Sequence, residues 1–324
     1  MIKHPLFLAG ILTVLATVSV LGQSGDITET DYVFSGTSPY HNIAVTDAEG
    51  FRTLLFDDTH ESRMEIKNPY AGQFEYTEYF QMIWLWKPDV KSILMLGLGG
   101  GSTQKAMVHY HPEVKMETAE IDPMVAEVAQ KYFGYKLDDR QKLDVIDGRQ
   151  FLRRAPDKYD AILMDAYTQG RYGASIPYEL VTKEFFEITR DHLAPDGVLA
   201  YNVITILKGY NTSDIVASIY RTLKEVFPQV YIFEAKSSLN IVMVASLKKG
   251  ATDLATLKKT AQALVDAKKM TFPGFLDRVA GFQPKAPANY LAAPLLTDES
   301  APVESLSQGV PAKSAVPAGS SKSP

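Results

Sequence analysis

Cysteine is absent from the 324 residues, which excludes disulfides, thiolate nucleophiles and cysteine-ligated zinc. Histidine is scarce: six residues, none at the HExxH spacing that sets two imidazoles on one helix face. A dedicated metal site is therefore not expected. Neither sign of charge dominates, since 33 Lys and Arg against 38 Asp and Glu leave a formal −5. Without a basic face the chain is a poor match for nucleic acid. An acidic pocket would suit a cationic substrate, although net charge does not locate one. Only two tryptophans occur, Trp84 and Trp86, and they read as packing anchors rather than a stacking platform. No internal repeat is visible.

One long apolar run is present. Lys3 and His4 precede an uncharged stretch over residues 5–22, followed by the polar Gln23-Ser24-Gly25-Asp26. Residues 1–25 thus have the layout of a secretory signal peptide with Gly22 as the cleavage residue, or of an uncleaved membrane anchor. With Lys3 on the cytoplasmic side, the body of the protein would be exported or membrane-attached. At the other end, residues 281–324 are rich in Pro, Ala and Ser and are expected to be a largely disordered tail.

Between these ends the periodicity changes once. Short strand-like stretches at 40–46, 51–56 and 63–66, broken by Asp47-Ala48-Glu49-Gly50 and Asp57-Asp58, predict a small antiparallel β unit within residues 31–85. The aromatic segment 74–86 predicts a helix packing that unit onto the main domain. Over residues 86–280, apolar runs at 92–97, 115–120, 142–146, 161–165 and 197–203 alternate with helical patterns at 103–110, 124–133, 150–154 and 178–192. Continuous apolar strands joined by crossover helices mean a parallel sheet covered on both faces. Two further strands, 230–234 and 241–246, form a terminal hairpin. The fold class is α/β, a Rossmann-like sheet of the S-adenosylmethionine-dependent methyltransferase type with seven strands.

The chemistry-bearing residues stand at the strand ends. Gly97-Leu98-Gly99-Gly100-Gly101-Ser102 follows the first strand and opens a helix, an arrangement that brings backbone N–H groups close to a ligand. Glu120 ends the second strand, where an acid can hold ribose hydroxyls. Asp147, with Gly148, ends the third, where it can accept from an adenine amino group, and Asp165 ends the fourth. Each acid alone is as well explained by a helix cap, but four such features on successive strands point to a bound nucleoside. A dinucleotide is the competing ligand, although Ser102 replaces the third glycine of GxGxxG. His109 and His111, beside Pro112, read as surface residues.

Several motifs fall in one order: Tyr40-His41-Asn42-Ile43, Leu55-Phe56-Asp57, Glu75-Tyr76-Thr77-Glu78, the glycine loop, Glu120-Ile121-Asp122, Asp147-Gly148, Tyr159-Asp160, Thr182-Lys183-Glu184-Phe185-Phe186 and Leu193-Ala194-Pro195-Asp196-Gly197. Over residues 38–246 the chain resembles the spermidine synthases, in particular a divergent bacterial branch often fused to membrane segments, where a late stretch like Leu296-Thr297-Asp298-Glu299-Ser300-Ala301-Pro302 also follows the domain. The resemblance implies aminopropyl transfer to putrescine or a related small amine. The co-substrate would be decarboxylated S-adenosylmethionine or S-adenosylmethionine itself. It also implies a homodimer, nucleoside contacts from Gly97, Gly99, Gly101, Glu120, Asp147, Gly148 and Glu61, and an amine side formed by Tyr76 and Asp165.

Two departures accompany the resemblance. The family carries an aspartate in the glycine loop where this chain has Gly100, and a D-x-x-D motif where this chain reads Asp165-Ala166-Tyr167-Thr168. A free amine with a pKa of ~10 is mostly protonated at neutral pH, and Thr168 cannot take its proton. Asp165, Glu75, Glu78 and Tyr167 are the candidate substitutes. The departures leave two other readings open: a methyltransferase, or a nucleoside- or polyamine-binding module without turnover.

Overall fold

The structure, a computed structural model, describes residues 31–57, 59–170, 173–204, 214–238 and 240–307. The apolar run 5–22 and the last fifteen residues lie outside the described residues. Among the described residues, no helix is long and apolar enough to cross a membrane.

The N-terminal unit is an antiparallel sheet of four strands in sequential order, β1 (Asp31–Thr37), β2 (Asn42–Ala48), β3 (Phe51–Phe56) and β4 (Thr59–Glu65). One more strand is present than the pattern suggested, because β1 is half exposed and carries little apolar signal. Next come a short helix, α1 (Glu75–Tyr79), and a 3-10 turn over Phe80–Leu85.

The main sheet begins with β5 (Ser92–Leu96), α2 (Ser102–Tyr110), β6 (Lys115–Glu120), α3 (Pro123–Tyr132), β7 (Gln141–Val145), α4 (Gly148–Arg154) and β8 (Tyr159–Met164). A small hairpin, β9 (Thr168–Gly170) and β10 (Gly173–Ser175), leads to α5 (Lys183–Asp191) and the long β11 (Leu193–Ile204). Then follow α6 (Asp214–Val226), β12 (Gln229–Ala235), β13 (Asn240–Ser246), α7 (Leu254–Asp266), α8 (Phe275–Val279), β14 (Phe282–Gln283) and α9 (Val303–Ser307). The strands run in the order β14-β12-β13-β11-β8-β5-β6-β7. The central pairs are parallel, whereas β13 inserts antiparallel between β11 and β12. This is the expected α/β sheet with its terminal hairpin, extended by the two-residue β14. The strand order reverses between β5 and β8, and ligands bind beyond the carboxyl ends at such a point.

Each strand feeds both faces of the sheet. On β5, Ile93 and Met95 join the cluster beneath α2, α7 and α8, while Leu94 and Leu96 join the one beneath α5 and α6, as the two-residue period requires. The segment 75–85 does not join the N-terminal unit to the main domain as expected. Phe80, Ile83 and Trp84 are buried against the sheet with Phe233, Val242 and Val244. The N-terminal sheet docks instead on α3, where Ile43, Val45, Leu54 and Met64 meet Val125, Ala129 and Phe133.

Two other expectations are corrected. His111 is 1% exposed, stacks on Trp84 with centroids 3.9 Å apart and pairs with Gln81 Oε1 at 2.8 Å. Burial lowers its pKa to about 4, so it is a neutral core histidine. Nor is the stretch after Gly281 disordered through residue 307. Leu296, Val303 and Leu306 are buried, and Asp298 accepts a two-pronged ion pair from Arg149, at 2.8 and 2.6 Å, together with the Thr182 hydroxyl at 2.7 Å. Composition marks this stretch as loose, but specific polar contacts hold it down.

Candidate active site

The ladders continue past the ends of the central strands and set their tips side by side. Gly97 N–H donates to Ala119 O at 2.9 Å, Asp165 N–H to Leu96 O at 3.0 Å and Ile146 N–H to Glu120 O at 2.8 Å. Gly97 has φ +99°, and a Cβ there would lie 2.1 Å from the carbonyl oxygen of Asp165. Only glycine lets these two loops touch. Above the tips lies a cavity of about 1100 Å³, lined by Gly97, Gly99, Glu120, Asp147, Gly148 and Asp165 together with Glu61, Tyr76 and Thr168. Nine residues expected at the site thus face one cavity. Gly101 does not. It precedes α2 with φ +68° and packs against the ring of Tyr135, so its role is to let the chain turn into the helix.

Glu120 is buried, and its two carboxylate oxygens accept the backbone N–H groups of Leu98 and Asp122, each at 2.9 Å. Burial is the largest influence and lifts its pKa to about 7 against those bonds. Glu120 therefore fixes the glycine loop while presenting its remaining lone pairs to the cavity. Asp147 caps α4, accepting from Gln150 N–H at 2.8 Å through Oδ1, which leaves Oδ2 for the cavity. Asp122 caps α3 through Met124 N–H at 2.8 Å and is bonded by the Ser38 hydroxyl, so that an acid of the motif serves the framework.

Asp165 forms the floor. Asn202 Nδ2 donates to its Oδ1 at 2.8 Å and the Tyr76 hydroxyl to its Oδ2 at 3.2 Å. Burial raises its pKa to about 6, opposed by those two donors. Asn202 is held in turn by Asn240 at 3.0 Å, and Tyr167 donates to the Asn202 carbonyl at 2.9 Å. Two suggested substitutes for the missing acid stand elsewhere. Glu75 and Glu78 pair with Arg278 at 3.1 and 2.6 Å, and Glu75 also receives Ser237. Thr168 is at the exposed rim. Gly100 N–H donates to Ser62 Oγ at 2.9 Å, and a Cβ at this position would meet the Phe133 ring at 2.9 Å and Ser62 Cβ at 3.1 Å. The space beside Gly100 is thus taken by Phe133 and Ser62.

Two parts of the wall, and one residue that holds Asp165 from behind it, were not foreseen. His41 stacks on Phe56 with centroids 4.4 Å apart and faces Asp57 at 3.4 Å. Asn202 was readable only as a polar residue within an apolar strand, which calls for a buried partner. The last is the pair of segments 175–180 and 301–305, which close one side.

The spermine/spermidine synthase domain family matches residues 73–258, more than half of the chain. A polyamine aminopropyltransferase of Vibrio vulnificus is 30% identical over 266 residues, covering 79% of this chain and 85% of that protein. A probable spermidine synthase of Corynebacterium glutamicum has the same fold, with a TM-score of 0.59 and 20% identity over 70% of this chain and 86% of that one. Human methyltransferase-like protein 13, solved in complex with SAH, gives a TM-score of 0.51 and 25% identity over 61% of this chain and 90% of that one. With this site and these relatives, the chain belongs to the spermine/spermidine synthase family.

Proposed function

We propose that the protein transfers an aminopropyl group from decarboxylated S-adenosylmethionine to putrescine or a related small amine. The observation that carries this reading is the placing of Glu120, Asp147 and Asp165 at the tips of β6, β7 and β8, on the two sides of β5, around one cavity. Glu120 accepts from the ribose hydroxyls, and Asp147 Oδ2 accepts from the adenine amino group. Gly97 lets the loop after β5 close on the Asp165 carbonyl, and Gly99 lets it close on Ser62. The sulfonium then lies toward Asp165 and Tyr76. Carboxylates there attract a cationic acceptor and repel a donor that keeps its own carboxylate, as Coulomb's law requires in a partly enclosed site.

Methyl transfer is the second reading. It is favoured by the filled space beside Gly100, which leaves no loop acid there to hold a donor ammonium, and by the human methyltransferase among the structural neighbours. Incubating the full-length chain with putrescine and either donor separates the two. Aminopropyl transfer predicts spermidine and methylthioadenosine from the decarboxylated donor. S-adenosylhomocysteine from the undecarboxylated donor, with no spermidine from the other, would refute it. The uncharged run 5–22 supports export or membrane attachment as a further part of the proposal. A fusion to a reporter active only outside the cytoplasm tests it.

A further inference from the structure

One side of the cavity is closed by residues 175–180 and 301–305, which lie far apart in the chain. One guanidinium joins them. Arg149 is 8% exposed, and its Nη1 donates to the Glu179 carbonyl at 3.2 Å. Nη1 and Nη2 also donate to the two Asp298 carboxylate oxygens at 2.8 and 2.6 Å. A forked pair of this kind fixes direction as well as distance. The start of α5 pins the same place: the Thr182 hydroxyl donates to Asp298 Oδ1 at 2.7 Å, Asp298 N–H to Glu184 Oε2 at 3.0 Å and Lys183 N–H to the Leu296 carbonyl at 2.8 Å. Ile176 and Leu180 share one buried cluster with Val303 and Leu306. The wall so formed stands at the Asp147 end. Arg149 is two positions after Asp147, and Ala301 is three positions after Asp298, a reach of at most ~11 Å. The smaller recess bordered by Tyr76 and Asp165 takes no residue from either segment. Most of the wall is apolar, with Ile176, Pro177, Leu180, Ala301, Pro302 and Val303. An apolar wall beside a carboxylate suits a flat base with one polar edge.

We infer that Arg149 is a positioning residue for the nucleoside, locking residues 175–180 and 301–305 into one wall of the adenine site beside Asp147. The inference rests on the reading that gives Glu120 and Asp147 to a nucleoside. Arg149 is not among the described residues that line the cavity, so it acts through the two segments it holds. Without the guanidinium, the Glu179 carbonyl loses this donor and the Asp298 carboxylate keeps the Thr182 hydroxyl. Residues 301–305 then stand in place for a smaller fraction of the time. A ligand that needs the assembled wall binds more weakly by that fraction. A wall in place about one-tenth of the time weakens binding about tenfold. Asp165 stands at the tip of β8, across β5 from β7, and keeps its own partners Asn202 and Tyr76. A saturating donor restores the wall, so the loss falls on the donor KM and spares kcat.

The test compares the full-length wild type with Arg149→Met, which keeps the side-chain stem, and Arg149→Lys, which keeps the charge without the fork. Methylthioadenosine affinity is measured by calorimetry and folding by thermal melting. The assignment predicts affinity weakened about tenfold in Arg149→Met and by less in Arg149→Lys. With putrescine and decarboxylated S-adenosylmethionine, the donor KM should rise by a similar factor while kcat stays within about twofold. A merely structural arginine would lower the melting temperature without that split. A second measurement needs no variant. In the wild type, saturating methylthioadenosine should slow amide hydrogen exchange across residues 175–180 and 296–307. Folded variants with wild-type affinity, a loss confined to kcat, or exchange in those segments that the ligand does not slow would each overturn the assignment and leave the nucleoside reading standing. A wild type that binds no methylthioadenosine would overturn the nucleoside reading itself.

Discussion

Gly97 shows how a single residue can hold a site together. Its left-handed φ and its approach to the Asp165 carbonyl let two strand tips meet over which one ligand can lie. Gly97→Ala should therefore cost at least ~2 kcal/mol from backbone strain alone, and denaturant midpoints would show it. A variant as stable as the wild type would mean that the β5 and β8 loops can part freely. Gly97, Glu120, Asp147 and Asp165 were legible in the sequence because each ends an apolar run, and chain connectivity alone delivers such positions to one sheet edge. Glu61 was placed at the cavity by resemblance, but its chemical setting was not legible. That setting depends on a one-residue bulge in β4, and a bulge reverses which face a side chain takes. Asn202 and Asn240 were hidden for a related reason: a polar residue in an apolar strand signals a partner without naming it.

Among the elements, the segment after Gly281 departs most from its composition. Proline, alanine and serine predict looseness, whereas residues 296–307 form a strap packed over α5 and α6 whose residues 301–305 wall the cavity. The contacts that hold it are few and specific. Leu296 is fully buried, and the Arg149–Asp298 pair reaches across 149 positions of sequence. Arg149 sits next to Gly148 at the start of α4, so the strap is tied beside the acid assigned to adenine. The Arg149 hydrogen bond holds the Asp298 carboxyl below its ordinary pKa. The stability it contributes is present above the ordinary aspartate range and lost as pH falls through the lowered value. Asp298→Ala should destabilise the fold by about 1–3 kcal/mol at neutral pH, with a smaller difference from the wild type in acid. A difference that does not shrink in acid would place its origin outside the ion pair. The helix expected over 178–192 resolves into a 3-10 turn and α5 because Thr182 caps the second.

For the whole molecule, the alternation of strands and helices was sufficient for the main sheet, whose parallel centre and terminal hairpin match the expectation. Docking of the N-terminal sheet was not readable, since the apolar faces of α3 and of segment 74–86 are both suitable partners by pattern. That docking matters because it brings β4 and its bulge over the strand tips. The described residues thus form one cavity lined by several acids, of which the proposal gives Glu120 and Asp147 to a nucleoside and Asp165 to an amine. Calorimetric titration of methylthioadenosine into the full-length protein tests this most directly, with Asp147→Ala measured alongside. The account predicts one site per chain in the wild type and an affinity weakened by roughly tenfold or more in the variant, the loss of about one hydrogen bond to a charged group. No binding to the wild type, or equal binding to both proteins, would contradict it.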